Sequence, residues 1–291
     1  MIVPTVVVPL LLALAFSAIV TATHRRLPPV VATRAVTVTL AVVAAASVPT
    51  LWIVSLGYLA HVPLLGRRLQ WCAEAFGVHD PIPSWLGVPA LLFVTVGVVR
   101  AGSVVRGYRR LRQHDARSVE IADHAQPFAF TLPGRGGQVV LSSGLVELLD
   151  DAERAVVLAH ENAHARSRHD RYLVVAQISA ALVPFLRPLA DRLHFSLERC
   201  ADEVAVVHCG DRGFVARTLD KVALRSVTPA GVMGFGGLGA PARVAALLSP
   251  PTTPLRSTFS LALWSAIIMT AGLAAFQIHH LFRLATALCP G

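Results

Sequence analysis

The sequence predicts a mainly α-helical membrane protein in which four spans surround a polar α+β domain. Three observations lead to this fold class. First, 54% of the 291 residues are hydrophobic and only 15% are charged, against about 25% charged residues in soluble proteins. Second, 20 of the 26 basic and 15 of the 17 acidic residues lie between Arg100 and Arg256. Third, uncharged apolar runs flank this block on both sides. This distribution excludes a disordered chain, a nucleic-acid-binding arm and a uniform soluble globule.

Four uncharged apolar runs are candidate membrane spans, at about residues 2–22, 35–59, 82–99 and 259–278. About 20 helical residues cross a hydrocarbon core that is about 30 Å thick. The first run resembles a signal peptide in composition, but no basic residue precedes it, which favours a span. The predicted organisation is three spans in residues 1–99, a polar domain in 100–257, and a fourth span with a short outer tail in 258–291.

Basic residues in the connecting loops predict the orientation. Residues 23–34 contain three arginines and residues 100–112 contain five, with no acidic residue in either stretch. Because cytoplasmic loops are enriched in basic residues, we expect a multi-pass protein of the cytoplasmic membrane with a cytosolic polar domain and both termini outside. The net charge of +9 then reflects this bias and contact with anionic lipids of the bilayer, rather than direct binding of nucleic acid.

The four cysteines do not have the spacing of a disulfide-rich secreted domain. In the predicted topology Cys72 and Cys289 lie outside, where a disulfide is permitted. Cys200 and Cys209 lie in the reducing cytosol. We interpret all four as small apolar residues without disulfide partners.

A β-hairpin is predicted at the beginning of the polar domain. Pro127 to Leu132 alternates apolar and small residues, a turn rich in glycine follows, and Gln138 to Leu141 forms a second short strand. Ser143 is expected to cap a helix that continues through Leu149. The exposed edge of such a hairpin either binds an extended peptide as an added strand or only covers the core, and both interpretations stay open.

The next helix contains a metal-binding pattern. Asp150 followed by Glu153 is typical of a capping box, so a helix is predicted to begin there. His160 and His164 are four residues apart on one face of that helix, and Glu161 lies beside them. This His-Glu-x-x-His pattern offers two neutral imidazoles to Zn²⁺ and a carboxylate that can act on water as a general base. The alternative is a surface helix with solvated side chains.

A catalytic zinc needs a third protein ligand and an open coordination position. Glu198 and Asp202 are four residues apart on a second predicted helix. Glu198 is suited to complete the site, while Asp202 is suited to accept the ring N–H of a zinc-bound histidine. Five other residues stay open as third ligands: His169, His194, His208, Cys200 and Cys209.

Residues 172–186 lie between these two helices and carry no charge. Their 15 residues are short for a membrane span, since about 20 are usual. A single crossing here would also place His164 and Glu198 on opposite sides of the bilayer, where they cannot share a metal ion. We therefore expect a core helix or a helix at the membrane surface.

Together these residues resemble the BlaR/MecR-type integral-membrane zinc metallopeptidases. The resemblance covers roughly residues 90–280 and rests on the following segments: 127–130, 144–149, 158–164, Asp170 and 198–202. It implies a cytosolic, gluzincin-like metallopeptidase domain, an α+β zincin-like fold with a short β-hairpin and the HExxH helix. It also implies that His160, His164 and Glu198 bind zinc and that Glu161 is the catalytic base.

The resemblance further implies a protein substrate, a cytosolic transcriptional repressor of the BlaI/MecI type. The C-terminal penicillin-binding sensor domain of those proteins is expected to be absent, because the chain ends shortly after the fourth run. CAAX-protease and HtpX-type membrane peptidases share the same motifs.

We therefore expect a membrane-anchored zinc metalloendopeptidase that cleaves a cytosolic or membrane-proximal protein in regulated signalling. Quality-control proteolysis of the HtpX/CAAX type is one alternative. The other is a non-catalytic membrane signalling scaffold, which predicts a closed zinc site with a fourth protein ligand such as Cys200 or His208. The residue that stabilises the oxyanion stays open among His194, His208 and an arginine.

Overall fold

The computed structural model describes residues 17–23, 27–63, 82–112, 119–134, 137–225 and 239–249, together with Ala15, Trp264, Ser265, Ile268, Ala271, Gly272, Ala275 and His279. Its elements are α1 (Pro29–Leu59), α2 (Ser84–Leu111), β1 (Glu120–Ala122), β2 (Ala129–Leu132), β3 (Gln138–Ser142), α3 (Ser143–Leu148), α4 (Asp151–Ser167), α5 (His169–Leu182), a 3₁₀ turn (Pro184–Leu186), α6 (Arg187–Cys209), α7 (Arg212–Ala223) and α8 (Ala240–Leu248). The described chain is mainly helical with a small sheet, as predicted.

α1 and α2 are the two helices in the described part of the chain that are long and apolar enough to cross a membrane. α1 contains the predicted span 35–59 but begins earlier, at Pro29. α2 begins at Ser84, later than the predicted span 82–99, and continues past it to Leu111. α2 leaves large apolar side chains exposed, among them Trp85 at 74%. An apolar face of this length favours contact with lipid over contact with water. Most of the predicted first and fourth spans lie outside the described residues.

α1 packs against α5 and α6. The buried core that they share contains Val36 and Leu40 from α1, and Leu189, Leu193 and Leu197 from α6. Consequently the long apolar helix α1 and the helices of the polar domain form one continuous core.

α5 runs antiparallel to α2. At the end of α2, the Tyr108 hydroxyl donates a hydrogen bond to Asp170 at the start of α5, over 2.6 Å. Near the middle of α2, Gly97 lies against Leu182 at the end of α5. A Cβ atom added at Gly97 would be 3.2 Å from the Leu182 carbonyl oxygen. The segment 172–186, expected to be a core or membrane-surface helix, is thus the main part of α5 and the following turn, where Phe185 is 55% exposed.

The sheet has the strand order β1-β3-β2, with β2 antiparallel and β1 parallel to β3. The β2–β3 pair is the predicted hairpin, but β2 begins at Ala129 rather than Pro127, and β1 was not expected. The predicted cap of α3 was also wrong by one residue. Ser142 is extended at the end of β3, and its hydroxyl accepts a hydrogen bond from the Leu145 amide. Ser143 instead donates to the His124 carbonyl, and α3 ends at Leu148.

A second core holds the sheet against α4, α7 and the end of α6. It buries Val139 and Leu141 of β3, Val156 and Val157 of α4, and Leu219 of α7. This core fixes α4 beside β2, which brings the HExxH segment next to the edge of the sheet.

Candidate metal centre

The first turn of α4 begins at the capping box that its sequence predicts. The Asp150 carboxylate accepts a hydrogen bond from the Glu153 amide at 2.8 Å, and the Glu153 carboxylate accepts one from the Asp150 amide at 3.0 Å. These bonds satisfy two amide groups that a helix N-terminus otherwise leaves without partners. The helix that follows buries His160, Glu161 and His164.

Two histidines of α4 and a glutamate of α6 converge in the buried space between the helices. One ligand atom from each of His160, His164 and Glu198 lies within 4.8 Å of the others. The two Nε2 atoms are 3.0 Å apart, and the Glu198 oxygens lie 3.5 and 3.6 Å from them. Ligand atoms about 2.0–2.2 Å from a tetrahedral zinc ion lie about 3.3–3.6 Å from one another. The two distances to Glu198 match this range, and the Nε2 pair lies slightly closer, so the three side chains are close enough to share one Zn²⁺ ion.

The second ring nitrogen of each histidine has its own partner. His160 Nδ1 lies 3.1 Å from Asp202 Oδ1, the contact that sequence reasoning gave to Asp202. His164 Nδ1 lies 2.7 Å from Nδ1 of His169. These contacts direct both Nε2 atoms toward Glu198, since the partner of one nitrogen determines which nitrogen can bind a metal.

His169 takes this place because α4 ends before it. Arg168 has φ of 52°, a left-handed conformation that turns the chain, and His169 then begins α5. The sequence left His169 open as a rival metal ligand. The structure instead brings His169 against the ring of His164, outside the group formed by His160, His164 and Glu198.

The other rival ligands do not join this group in the described part of the chain. Cys200 Sγ lies 3.6 Å from Thr33 Oγ1 at the start of α1. His194 is half-buried, and burial lowers its pKa. His208 is exposed and Cys209 is the last residue of α6.

Arg243 was not found by sequence reasoning, although it is the cation of the site. Its guanidinium is fully buried and its Nη1 lies 2.6 Å from Glu198 Oε2. Its Nε and Nη2 donate to the two oxygens of Asp202 at 2.9 and 2.6 Å. The only signal for it in the sequence is a single charge in the otherwise apolar α8.

Thr131 of β2 is the second residue that sequence reasoning missed. Its hydroxyl lies 2.9 Å from the main-chain oxygen of Glu161 and 2.8 Å from its carboxylate Oε2. Glu161 Oε1 is buried and has no hydrogen-bond partner among the residues that the structure describes. Thr131 therefore holds one carboxylate oxygen of Glu161 and leaves the other available.

Burial has different effects on the titratable groups of the site. It raises the pKa of Glu161 to about 7, which the charge of His160 and the hydrogen bond of Thr131 only partly oppose. Burial is also the largest effect on Glu198 and tends to raise its pKa, but the charge of Arg243 and the contacts of His160 and His164 together outweigh burial and lower the pKa to about 2. Burial lowers the pKa of His164. For His160 burial is outweighed by Asp202 and Glu198, which raise the pKa to about 9.

These shifts fit a site built for a cation. Glu198 and Asp202 carry two negative charges, whereas Arg243 supplies one positive charge, and the raised pKa of His160 shows that the site attracts a further positive charge. A divalent ion that displaces this proton would supply that charge, since metal binding and proton release are coupled at histidine ligands.

A buried His-Glu-x-x-His helix and a second helix that adds a glutamate beside it are the arrangement of a metallopeptidase. Residues 106–259, just over half of the chain, match the model of Peptidase family M48, and the chain belongs to this family. Because M48 peptidases are metal-dependent, the chain is a metalloprotease. The family supports the predicted class of membrane-type zinc metallopeptidase, while the narrower BlaR/MecR type stays a prediction. No curated protein and no solved structure matches the chain.

Proposed function

We propose that this chain is a membrane-anchored zinc metalloendopeptidase that cleaves cytosolic or membrane-proximal proteins. The observation that supports this most strongly is the buried group of His160, His164 and Glu198 with Glu161 beside it. Three protein ligands leave a fourth position for water or substrate, which is the arrangement of catalytic rather than structural zinc. A fourth protein ligand, which a scaffold would need, is absent from the group in the described residues.

Bound zinc would polarise the scissile carbonyl and make water more acidic. Glu161 accepts a proton from the attacking water and returns it to the leaving amine. Thr131 keeps Glu161 in position through Oε2. Arg243 keeps Glu198 and Asp202 ionised, so that one is a metal ligand and the other holds the ring of His160.

The substrate backbone lies along β2 as an added strand. β2 is at the edge of the sheet in the described structure, and its Thr131 contacts Glu161 directly. A peptide that pairs with this edge is held in an extended conformation, and its carbonyl groups pass the metal ligands one after another.

The site faces the cytosol in this proposal. α1 and α2 cross the bilayer, and the five arginines of residues 100–112 mark the cytoplasmic end of α2. Tyr108, which contacts the start of α5, is eight residues beyond Arg100, about 12 Å along the helix. The metal centre therefore lies just below the membrane surface, within reach of soluble and membrane-bound substrates.

Cleavage of a BlaI/MecI-type repressor in regulated signalling is the finer form of this proposal. Quality-control proteolysis of membrane proteins requires the same site and differs only in the substrate. Comparison of the cytosolic and membrane proteomes of cells with wild-type or inactive protein separates the two. Accumulation of one cytosolic repressor supports signalling, whereas accumulation of many membrane proteins supports quality control.

Glu161→Gln is the variant that tests the chemistry. The amide keeps the size of the side chain but cannot accept the proton, so peptide cleavage by the purified protein in detergent should fall by at least about 100-fold. The zinc content should not change. Glu147→Gln, an exposed substitution on α3, should cleave like the wild type. Wild-type rates in Glu161→Gln would contradict the mechanism, and zinc binding without any cleavage by the wild type would favour the scaffold.

A further inference from the structure

We infer that Arg100 and Arg187 bind the phosphate group of one anionic phospholipid at the cytosolic surface of the bilayer. This site lies outside the metal centre and goes beyond the proposed function, from which it takes only the position of α2 across the membrane. Three observations carry the inference: two arginines at one cavity, the depth of this cavity along α2, and exposed apolar side chains on its membrane side.

The cavity has a volume of about 350 Å³ and lies between α2, the second half of α5 and the beginning of α6. Arg100 of α2 and Arg187, the first residue of α6, both line it. Gln177 of α5 adds an amide to the wall, whereas Ala180 and Ala181 occupy little space. None of the described residues in the wall is acidic. The cavity is thus basic and has room for a small anionic group.

Neither arginine has a charged partner of its own. In the part of the chain that the structure describes, no ion pair involves Arg100 or Arg187, and both residues are exposed. Two positive charges at one cavity repel each other unless an anion lies between them. Guanidinium groups bind phosphate oxygens through paired, charge-assisted hydrogen bonds. The two arginines therefore favour a phosphate group as the ligand.

The position of the cavity along α2 places it at the membrane surface. The uncharged part of α2 ends at Val99, and Arg100 is the first charged residue of the helix. Gly97 lies against Leu182 at the end of α5, and Arg100 is three residues farther along α2, about 4.5 Å. The end of α5 therefore reaches a level at which α2 is still apolar. Arg187 follows where the chain returns to the level of Arg100, which is the level of lipid headgroups.

Exposed apolar side chains favour a phospholipid over a free phosphate ion. Phe185, two residues before Arg187, is 55% exposed, and Val96, one helical turn before Arg100, is 52% exposed. Exposed apolar side chains at this depth contact acyl chains rather than water. A free phosphate ion gains nothing from such neighbours. A phospholipid instead places its acyl chains beside them when its phosphate binds the two arginines.

A lipid bound in this way connects the membrane helix α2 to α6, the helix that carries Glu198 and Asp202. One arginine of the site belongs to each helix. Because a ligand that binds only the folded protein stabilises it, this lipid should raise the unfolding temperature of the full chain.

Arg100→Gln and Arg187→Gln are the variants that test the site, and Arg109→Gln is the matched control. Arg109 is an exposed residue of the same helix, it does not line the cavity, and nine residues separate it from Arg100. Nine residues correspond to about two and a half helical turns, so the two arginines lie on opposite faces of α2. Each variant removes one positive charge from an exposed residue, so zinc content and folding should not change.

The full chain in a neutral detergent is titrated with phosphatidylglycerol or with phosphatidylcholine, whose choline group carries a positive charge. Native mass spectrometry counts the bound lipids, and thermal unfolding measures their effect. We expect the wild type to bind one phosphatidylglycerol at least about tenfold more tightly than phosphatidylcholine and to unfold at a higher temperature with it. Arg100→Gln and Arg187→Gln should each weaken this binding at least about tenfold, and Arg109→Gln less than about threefold.

Three results would overturn the inference. Equal binding of the two lipids by the wild type would contradict an anionic ligand. An equal loss of affinity in Arg109→Gln would show diffuse attraction between the basic helix end and the lipid, without a defined site. Displacement of phosphatidylglycerol by an equal concentration of inorganic phosphate would show a site for the free ion.

Peptide cleavage by the same preparations reports on the proposed function separately. If the wild type cleaves peptides but does not prefer phosphatidylglycerol, the inference fails and the proposed function stands. If it binds one phosphatidylglycerol as expected but cleaves no peptide, the inference stands and the proposed function fails.

Discussion

Arg243 is the buried cation on which the two carboxylates of α6 depend. Its guanidinium contacts Glu198 and Asp202 where neither side chain reaches water. Removal of one partner from a buried charge network leaves the other charges uncompensated, which is more costly than the loss of a surface ion pair. The residue thus links the stability of the domain to the geometry of the candidate metal centre.

We expect Arg243→Met to destabilise the metal-free protein by about 3–5 kcal/mol. Arg243→Lys should recover part of this loss, because it keeps the charge but cannot make the paired hydrogen bonds to Asp202. Arg217→Met is the control, since that side chain is 72% exposed. Thermal unfolding in detergent, followed by circular dichroism, measures all three. A wild-type transition in Arg243→Met would show that the buried contacts do not stabilise the protein.

His169 should affect metal affinity through His164. Its Nδ1 lies 2.7 Å from Nδ1 of His164, and loss of such a partner typically weakens metal binding about 10–100-fold. We expect this loss in His169→Leu and near wild-type affinity in His169→Asp, which retains an acceptor. His208→Leu, at an exposed position of α6, is the control. Competition with a chelating dye gives the zinc affinities, and equal values for His169→Leu and the control would refute the role.

The sequence identified those residues of the site that lie close to one another along the chain. His160 with His164, and Glu198 with Asp202, are four residues apart, so helical periodicity alone places each pair on one face. The contacts of Arg243 and Thr131 are of another kind. Arg243 is 41 residues from Asp202 and Thr131 is 30 residues from Glu161. Such contacts depend on how separate elements pack, which no local pattern contains.

The N-terminus of α4 matters for the site, because this helix carries His160, Glu161 and His164. Asp150 caps it through the Glu153 amide. Asp150→Ala should destabilise the protein by about 1 kcal/mol. Asp151→Ala should change stability little, since its side chain is 96% exposed. Chemical unfolding of the two variants under the same conditions measures the difference, and equal stabilities would mean that the capping box contributes nothing.

The elements themselves were predictable to different degrees. The capping box, the β2–β3 hairpin and the apolar helices follow from short-range signals. β1 was missed because three residues have no clear alternation, and it forms only through parallel pairing with β3, about 20 residues later. α2 was expected to end near Val99, where its apolar run ends, yet it continues to Leu111. The arginines there terminate the apolar composition without terminating the helix, since arginine is a good helix former.

In the whole molecule, α1 shares a core with α5 and α6. This core joins parts of the chain that the charge distribution assigns to two different domains. The predicted polar domain begins at residue 100, but Leu189, Leu193 and Leu197 are buried in a core that includes Val36 and Leu40 of α1. Thr33 at the start of α1 also reaches Cys200, between the two carboxylates of α6. Composition separates apolar from charged sequence, whereas packing joins the two wherever a helix has an apolar face.

A fragment of residues 100–257 should therefore fail to fold as an independent domain. It lacks α1, so large apolar side chains of α6 become exposed, and each of them costs about 1.5–3 kcal/mol. The net stability of a domain is only about 5–15 kcal/mol, so the exposure of several such side chains is enough to unfold it. A fragment of residues 27–257 retains α1 and should remain folded. Both are compared in the same detergent by zinc binding and by resistance to trypsin. If fragment 100–257 binds zinc as tightly as 27–257 and resists trypsin equally, the shared core is dispensable, and the metallopeptidase domain is autonomous.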